Sequence, residues 1–535
     1  MPYKSLSQTS FFTPEFADPG CLPEGSVGWV LRVHSDILFP VWLFGLWHGA
    51  GRRGRRAWPA SVLLTALILG SREGIPQRRA IVRRLKRDTS WRAACGLDIG
   101  GETPDEATFR RFERYLQRRD PASGTPRELL LHEHFVRVCL DEGVVNRRHS
   151  NWVFDSTPMW CFGAVQGTFR LLGDGLRGLG LRWARLTGKT VPELAASWEL
   201  PLLLAKSTKG AFRISWRDAT ARAEATDDLV RSVLAAIGRV RGNLDKVRAN
   251  KRKGLLRRCR SLAKVIADDL ETDEDGRLVV ARKVAAGRLV AITDEQARSS
   301  RKSKSHAYKG FKIHLLGDSA SGLIASLCVT PANVGDNKVA HRLIRRARDL
   351  HSEIIQVLGD TAYAAAELRL KARRLEGVDV LAPPQPISRK PNRFSIGDFN
   401  INLAAGEARC PGGIRAPLKQ GRSSRYFSWS KGVCDSCQLR SHCVSERTPS
   451  KTIPIHPHHD EVQEIRSRWE DPAIREQYRR RAEGERLINE QVRRGCRHAR
   501  AWGLKAATTQ VYIAAMGVNL ALLAKTFAGR LQQAA

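Results

Sequence analysis

Acidic side chains are scarce in this sequence: 54 Asp and Glu stand against 90 Lys and Arg in 535 residues, leaving a formal net charge of +36 at pH 7. A surface with that imbalance draws polyanions from a distance, so nucleic acid comes first among partners and an anionic membrane second. Long hydrophobic runs are also lacking. The apolar stretches Phe39 to Trp47 and Val62 to Leu69 fall far short of the ~20 residues of a bilayer span, which argues against a membrane partner. No basic, apolar and small-residue leader follows the opening Met-Pro-Tyr-Lys-Ser-Leu, so export is not expected. The 11 cysteines are odd in number and scattered, with only four clustered, unlike the disulfide framework of a small secreted domain. A reducing cytoplasm fits them better. What remains is a chain long enough for several units, with a hydrophobic fraction of 42% to build their cores.

Residues 1–150 read mostly as helix and predict an all-α N-terminal domain that binds DNA. Phe109, Phe112, Tyr115 and Leu116 recur at helical spacing behind the start signal Thr103-Pro104-Asp105, leaving Arg110, Arg111 and Arg114 to point elsewhere. At 151–160 the character changes. Trp152-Val153-Phe154 precedes Asp155 as a short strand that Pro158 is expected to interrupt. Residues 163–305 predict a basic helical insertion, with Leu229, Val233, Ile237 and Val240 spaced as one apolar face. From Lys309 the pattern runs strand, turn at Asp318 to Gly322, strand through Val329, then a helix capped by Asp336. A short apolar strand ends at Gly359-Asp360, and a helix and a strand at Val378 to Ala382 follow. That order predicts an α/β fold, a ribonuclease H-like mixed sheet with helices on both faces, spanning 151–535 around its insertions. Residues 387–460 show no long periodicity and read as a small cysteine-containing insertion. The stretch Val511 to Leu523 is apolar enough to pack on the sheet.

Breaking and joining phosphodiesters calls for two divalent metals held by converging carboxylates. Asp155 and Asp360 at strand ends would meet if their strands are parallel neighbours, and Glu485 on a later helix supplies the third acid. Tyr478, Arg481 and Glu485 stand at i, i+3 and i+7, one face of a helix, where the phenol and guanidinium can hold phosphate beside the metal ligand. Singly, each acid reads as a turn, cap or surface ion-pair residue. Together, in this order and in so basic a chain, they point to magnesium or manganese, two ions, as cofactor.

These motifs resemble the DDE insertion-sequence transposases, whose signature helix reads Tyr-x2-Arg-x3-Glu-x6-Lys. The lysine place falls on Val492, with Arg493 and Arg494 nearby as substitute phosphate contacts. The resemblance extends to Phe154-Asp155-Ser156-Thr157, to Arg301-Lys302-Ser303-Lys304 through Lys312, to Val329-Thr330-Pro331-Ala332-Asn333 and to Leu358-Gly359-Asp360-Thr361-Ala362-Tyr363. It implies cut-and-paste movement of a DNA element by terminal inverted repeats, on a homodimer or larger assembly, with target DNA as a second substrate. The expected phosphate contacts are Tyr478, Arg481, Arg301, Lys302, Lys304 and Lys309. A nuclease or junction resolvase that hydrolyses without joining, and a non-enzymatic DNA-binding relic, stay open at this stage.

The clustered cysteines form a separate signal. Cys434-x2-Cys437, Cys443 and the upstream Cys410 are compatible in spacing with one tetrahedral structural zinc, His442 being an alternative ligand. His456, His458 and His459 read as surface residues.

Overall fold

The architecture comes from a computed structural model that describes residues 22–48, 57–75, 77–98, 100–146, 149–303, 305–387, 391–422 and 424–534. Its centre is a six-stranded mixed sheet. Strand β1 (Trp152–Trp160) pairs antiparallel with β5 (Ala307–Asp318) over nine residues, from Trp152 opposite Asp318 to Trp160 opposite Gly310. On the far edge of β5 lie β6 (Ile324–Pro331) and β4 (Arg298–Arg301), end to end and both antiparallel to it. On the other side of β1 come β7 (Gln356–Leu358) and β8 (Asp379–Leu381), each parallel to its neighbour. The β5–β6 hairpin turns where the sequence says it should. The Asp318 carboxylate accepts from the amides of Ala320 and Ser321 at 3.3 and 2.8 Å, and Gly322 takes φ +93°.

Both faces of the sheet are covered. Alternation along β1 and β5 sends Phe154 and Leu316 to one core, shared with the helix Asn337–Leu350 and the N-terminal helices. Val153 and Leu315 go to a second core with Leu358, Leu381 and Leu487. The C-terminal helix Leu504–Ala534 closes the open edge and belongs to both cores, through Met516 and Leu520 on one side and Val511 and Val518 on the other. Its buried Asn519 grips the β6 backbone, donating to Ile324 O and accepting from Ile324 N, each at 3.0 Å. An unpaired edge is thereby satisfied. The segment Leu504–Gln533 is long and apolar enough to cross a membrane, which corrects the expectation that no such stretch exists. Here it is mostly buried against protein.

Among the N-terminal helices, Glu106–Leu116 starts at Asp105, whose carboxylate accepts from the Thr108 amide at 2.7 Å. Phe109, Phe112, Tyr115 and Leu116 are buried on one stripe while Arg110, Arg111 and Arg114 are exposed. In the 163–305 region, Thr168–Thr187, Ala219–Gly242 and Ala249–Asp269 build a core of their own. Leu229, Val233 and Val240 are fully buried there, and β2 (Leu270–Thr272) and β3 (Leu278–Val280) form a small hairpin beside it. Between 400 and 455 stands a five-stranded antiparallel sheet, β9 (Asn400–Asn402), β10 (Glu407–Arg409), β11 (Arg415–Gln420), β12 (Arg425–Ser428) and β13 (Thr452–Ile455), paired in sequence order. These strands hold three to six residues each, too few for alternation to register in sequence.

Three local expectations are corrected. Pro158 does not end β1. Beyond Val153 that strand has no β7 partner, so the missing proline N–H costs no ladder bond on that side. Asp155 therefore sits inside a strand, not at its end. Asp336 precedes its helix but makes no side-chain cap. Its carboxylate turns to the sheet instead, meeting His314 Nδ1 at 2.9 Å and Lys312 Nζ at 3.3 Å.

Candidate active site

The parallel register of β1 and β7 puts Val153 opposite Leu358, so Asp155 and Asp360, each two residues further on, reach the same level of the sheet. Asp360 leaves β7 into a tight 3-10 turn, Thr361–Tyr363, and its carboxylate accepts from the Ala362 amide at 2.9 Å. Behind the pair, the Phe154 and Tyr363 rings stack at 4.6 Å with an interplanar angle of 4°, tying the loop after Asp360 to β1.

Glu485 arrives from the other side. The signature segment is not one helix, as its spacing suggests, but the helix Pro472–Arg479, a 3-10 stretch Arg480–Gly484, and the helix Glu485–Gln491. The tighter winding changes which side chains line up, and the placement is set by docking instead. Gly484 lies directly on β1: a Cβ there would come 2.7 Å from Val153 Cγ2. Asn151 Nδ2 donates to Arg480 O at 3.0 Å and to the Ser319 hydroxyl at 2.6 Å, Ser319 donates to Glu483 at 3.1 Å, and Arg486 holds the carbonyls of Ser319 and Ala320. The segment is thus clamped to the beginning of β1 and to the β5–β6 turn.

Asp155 records the company it keeps. Burial pushes its carboxyl from the ordinary 3.8 up to about 6; Arg481 pulls it down, while Asp360 and Glu485 push it up. Arg481 reaches the Asp155 carboxylate at 3.4 Å, and its Nε is buried without a hydrogen-bond partner. Tyr478 is half-buried against Trp469, ring centroids 4.9 Å apart. Burial raises its phenol, Arg481 lowers it, and Asp360 and Asp155 raise it again. Asp155, Asp360, Tyr478, Arg481 and Glu485 therefore share one electrostatic neighbourhood. Carboxylate oxygens from three separate elements suit magnesium or manganese in kind and in charge. Among the described residues, however, no three His, Cys, Asp or Glu side chains converge to metal-holding separation. Closing on an ion pair requires the acids to draw together.

The raised proton affinity of Asp155 has a checkable consequence for stability. A folded-state value above the unfolded one favours folding below the unfolded value, and that contribution is lost as pH rises through about 6. The buried carboxylate thus weakens the metal-free fold at neutral pH. Asp155→Asn is expected to raise the melting temperature of the metal-free protein by roughly 2 °C at pH 7 and by much less at pH 4. Scanning calorimetry at both values checks this, and an equal gain at both would assign the effect to something other than the charge.

Two family profiles match the chain, one described as a transposase domain (DUF772) over residues 43–115 and one as a transposase DDE domain over 409–524. Both matches support a DDE insertion-sequence transposase. No curated protein and no solved structure matches it. The first profile covers the N-terminal helices, and the second runs from the small sheet to the C-terminal helix, taking in Glu485. Asp155 and Asp360 fall outside both.

The other basic residues stand differently. Arg494, offered by its sequence as a phosphate contact, is buried and bound to Glu490, so it is not free for DNA. Arg493 also meets Glu490, at 3.3 Å, but keeps 78% of its side chain exposed. Arg480, Arg486 and Arg493 line an open depression of about 710 Å³ beside the signature segment. Sequence reading passed over Arg480 as a contact, because nothing in its spacing tells which face a 3-10 turn will present. Arg301 and Lys302 are exposed at the tip of the β4–β5 hairpin and Lys309 is half-buried in β5, while Lys304 lies outside the described residues. Register places Lys309 six residues along β5 from Leu315, the partner of Asp155, so these residues flank the acids at a distance of roughly 20 Å along the strand.

A second buried cluster stands on the opposite face of β1, also missed from sequence. His314, Lys312 and Ser156 surround Asp336, with His314 Nε2 2.8 Å from the Thr330 hydroxyl. Burial alone would raise the Asp336 carboxyl. The His314 bond and charge, with Lys312 and the Ser156 hydroxyl, hold it below the usual range. Ser156 connects the two faces, since its amide donates to Asp155 Oδ1 at 2.8 Å.

Proposed function

We propose that this transposase cuts DNA at terminal inverted repeats and joins the freed ends to target DNA, by a cut-and-paste route on a ribonuclease H-like sheet. The observation that carries the proposal is that Asp155 feels Asp360 and Glu485, acids from two other elements, and meets the Arg481 guanidinium at 3.4 Å. The sheet order β6-β5-β1-β7-β8, three antiparallel strands followed by two parallel ones, supports the fold assignment.

In this reading Asp155, Asp360 and Glu485 would hold two magnesium or manganese ions. Bound there, the metals supply activation of the attacking oxygen and stabilisation of the leaving one. Arg481, with a buried Nε lacking a partner, and Tyr478 beside it hold the scissile phosphate in line. Hydrolysis breaks one P–O bond and frees a 3′-hydroxyl. That hydroxyl then attacks a target phosphodiester, so one P–O bond forms for each broken. The depression lined by Arg480, Arg486 and Arg493 would follow the backbone on one side of the acids, with Arg301, Lys302, Lys304 and Lys309 contacting it on the other. Paired ends call for a homodimer or larger assembly.

The test is a joining assay: pre-cleaved inverted-repeat ends bearing 3′-hydroxyls, supercoiled target DNA, and magnesium or manganese. Joined products are expected with either metal and none with calcium or chelator. Hydrolysis without any joined product would replace this reading by that of a nuclease, and no metal-dependent cleavage of either substrate would leave a DNA-binding protein.

A further inference from the structure

We propose that Cys410, Cys434, Cys437 and Cys443 bind one zinc ion that staples the small antiparallel sheet to the two short helices beside it. This inference is independent of the carboxylate site, since it concerns different residues, a softer metal and a structural role.

All four thiols line a single cavity of about 40 Å³, together with Phe394, Trp429 and Lys451. They come from three places. Cys410 follows β10 and opens the turn Cys410-Pro411-Gly412-Gly413, closed by Gly413 N donating to Cys410 O at 2.8 Å. Cys434 lies in the helix Lys431–Asp435, Cys437 follows it, and Cys443 ends the helix Arg440–Cys443. The turn and the helices face each other closely: a Cβ on Gly412 would stand 3.5 Å from Cys437 Sγ and 3.7 Å from Cys410 Sγ. None of the four is in a disulfide.

His442 is exposed and does not line the cavity; its Nδ1 lies 3.1 Å from Asn392 O, and its ring packs on Phe394. Four thiolates select zinc over magnesium and leave no open coordination position, so the ion is structural. The need for it follows from size. The buried core here consists of Phe399, Ala408, Ala416, Phe427, Trp429, Ile453 and Ile455, a set too small to hold five short strands without a staple. The sulfurs surround the cavity without standing at ligand separation. Binding therefore contracts the thiols around a common centre.

Elemental analysis of the full-length protein, purified without chelator or metal-affinity resin, is expected to give about one zinc per chain. Cys437→Ser should lower this to near zero, whereas Asp155→Ala should leave it at one. Growth with cobalt provides a reading that does not depend on a variant folding: tetrahedral thiolate coordination gives intense sulfur-to-cobalt charge-transfer absorption. Zinc content near zero in the wild-type protein, together with no such absorption, would overturn the proposal. Full zinc content in Cys437→Ser would remove that residue from the ligand set and break the four-thiol site.

Discussion

Asp155→Ala, Asp360→Ala and Glu485→Ala are each expected to lower strand cleavage by at least about a thousandfold, the several kcal/mol that two-metal stabilisation of the reacting oxygens supplies. Binding of inverted-repeat DNA should stay unchanged or tighten slightly. Removing a carboxylate takes away repulsion with phosphate, while Arg481, Arg486 and Arg493 keep their charges. The two readouts are a gel-based cleavage assay and fluorescence anisotropy on the same duplex, at fixed salt. Loss of DNA binding in parallel with cleavage would show a folding defect. Retained cleavage in any of the three would remove that residue from the site. The three should also fail equally, because residues that act as one unit do not contribute in shares.

The second large effect comes from a residue with no chemistry of its own. Gly484 is the point at which the signature segment touches β1, and an added Cβ would lie 2.7 Å from Val153 Cγ2 and 3.3 Å from Val153 Cβ. Val153 is fully buried, β-branched and inside the sheet, so it has little room to yield. The segment itself must move, carrying Arg481 and Glu485 away from Asp155. A displacement approaching 1 Å at a reacting centre costs on the order of a hundredfold in rate, so Gly484→Ala should lose roughly that much cleavage. Circular dichroism should change little. Val153→Ala removes the methyl groups in the way, and the double variant Gly484→Ala with Val153→Ala should regain most of the loss. If the two substitutions simply add, the contact does not position the acids.

The candidate acids could be named from the sequence because the choice rests on residue type and order. Asp155, Asp360 and Glu485 occur in that sequence on strand, strand end and helix start, in a chain whose charge already pointed to DNA. The Asp318 turn and the buried stripe of Phe109, Phe112, Tyr115 and Leu116 were legible for a similar reason. Their signals are local periodicity and turn chemistry, which act over a few residues. The misses share the opposite character. Pro158 reads as a strand breaker until one knows that β7 leaves that part of β1 unpaired. Asp336 reads as a helix cap until His314 and Lys312 are found beside it. Arg494 reads as a free cation until Glu490 is seen to hold it. The 3-10 winding of Arg480–Gly484 is chosen by docking onto Asn151 and Ser319, residues more than 160 positions away in sequence.

By itself, then, the sequence determined the longer elements, the candidate acids and the excess of positive charge, because backbone propensity, side-chain chemistry and net charge belong to residues and their near neighbours. Only the tertiary structure decided that Asp155 and Asp360 stand at one level, that Gly484 seats the Glu485 segment against Val153, and which arginines face outward. Those are outcomes of strand register and side-chain packing between distant segments, where a single added carbon or an unpaired edge changes the answer.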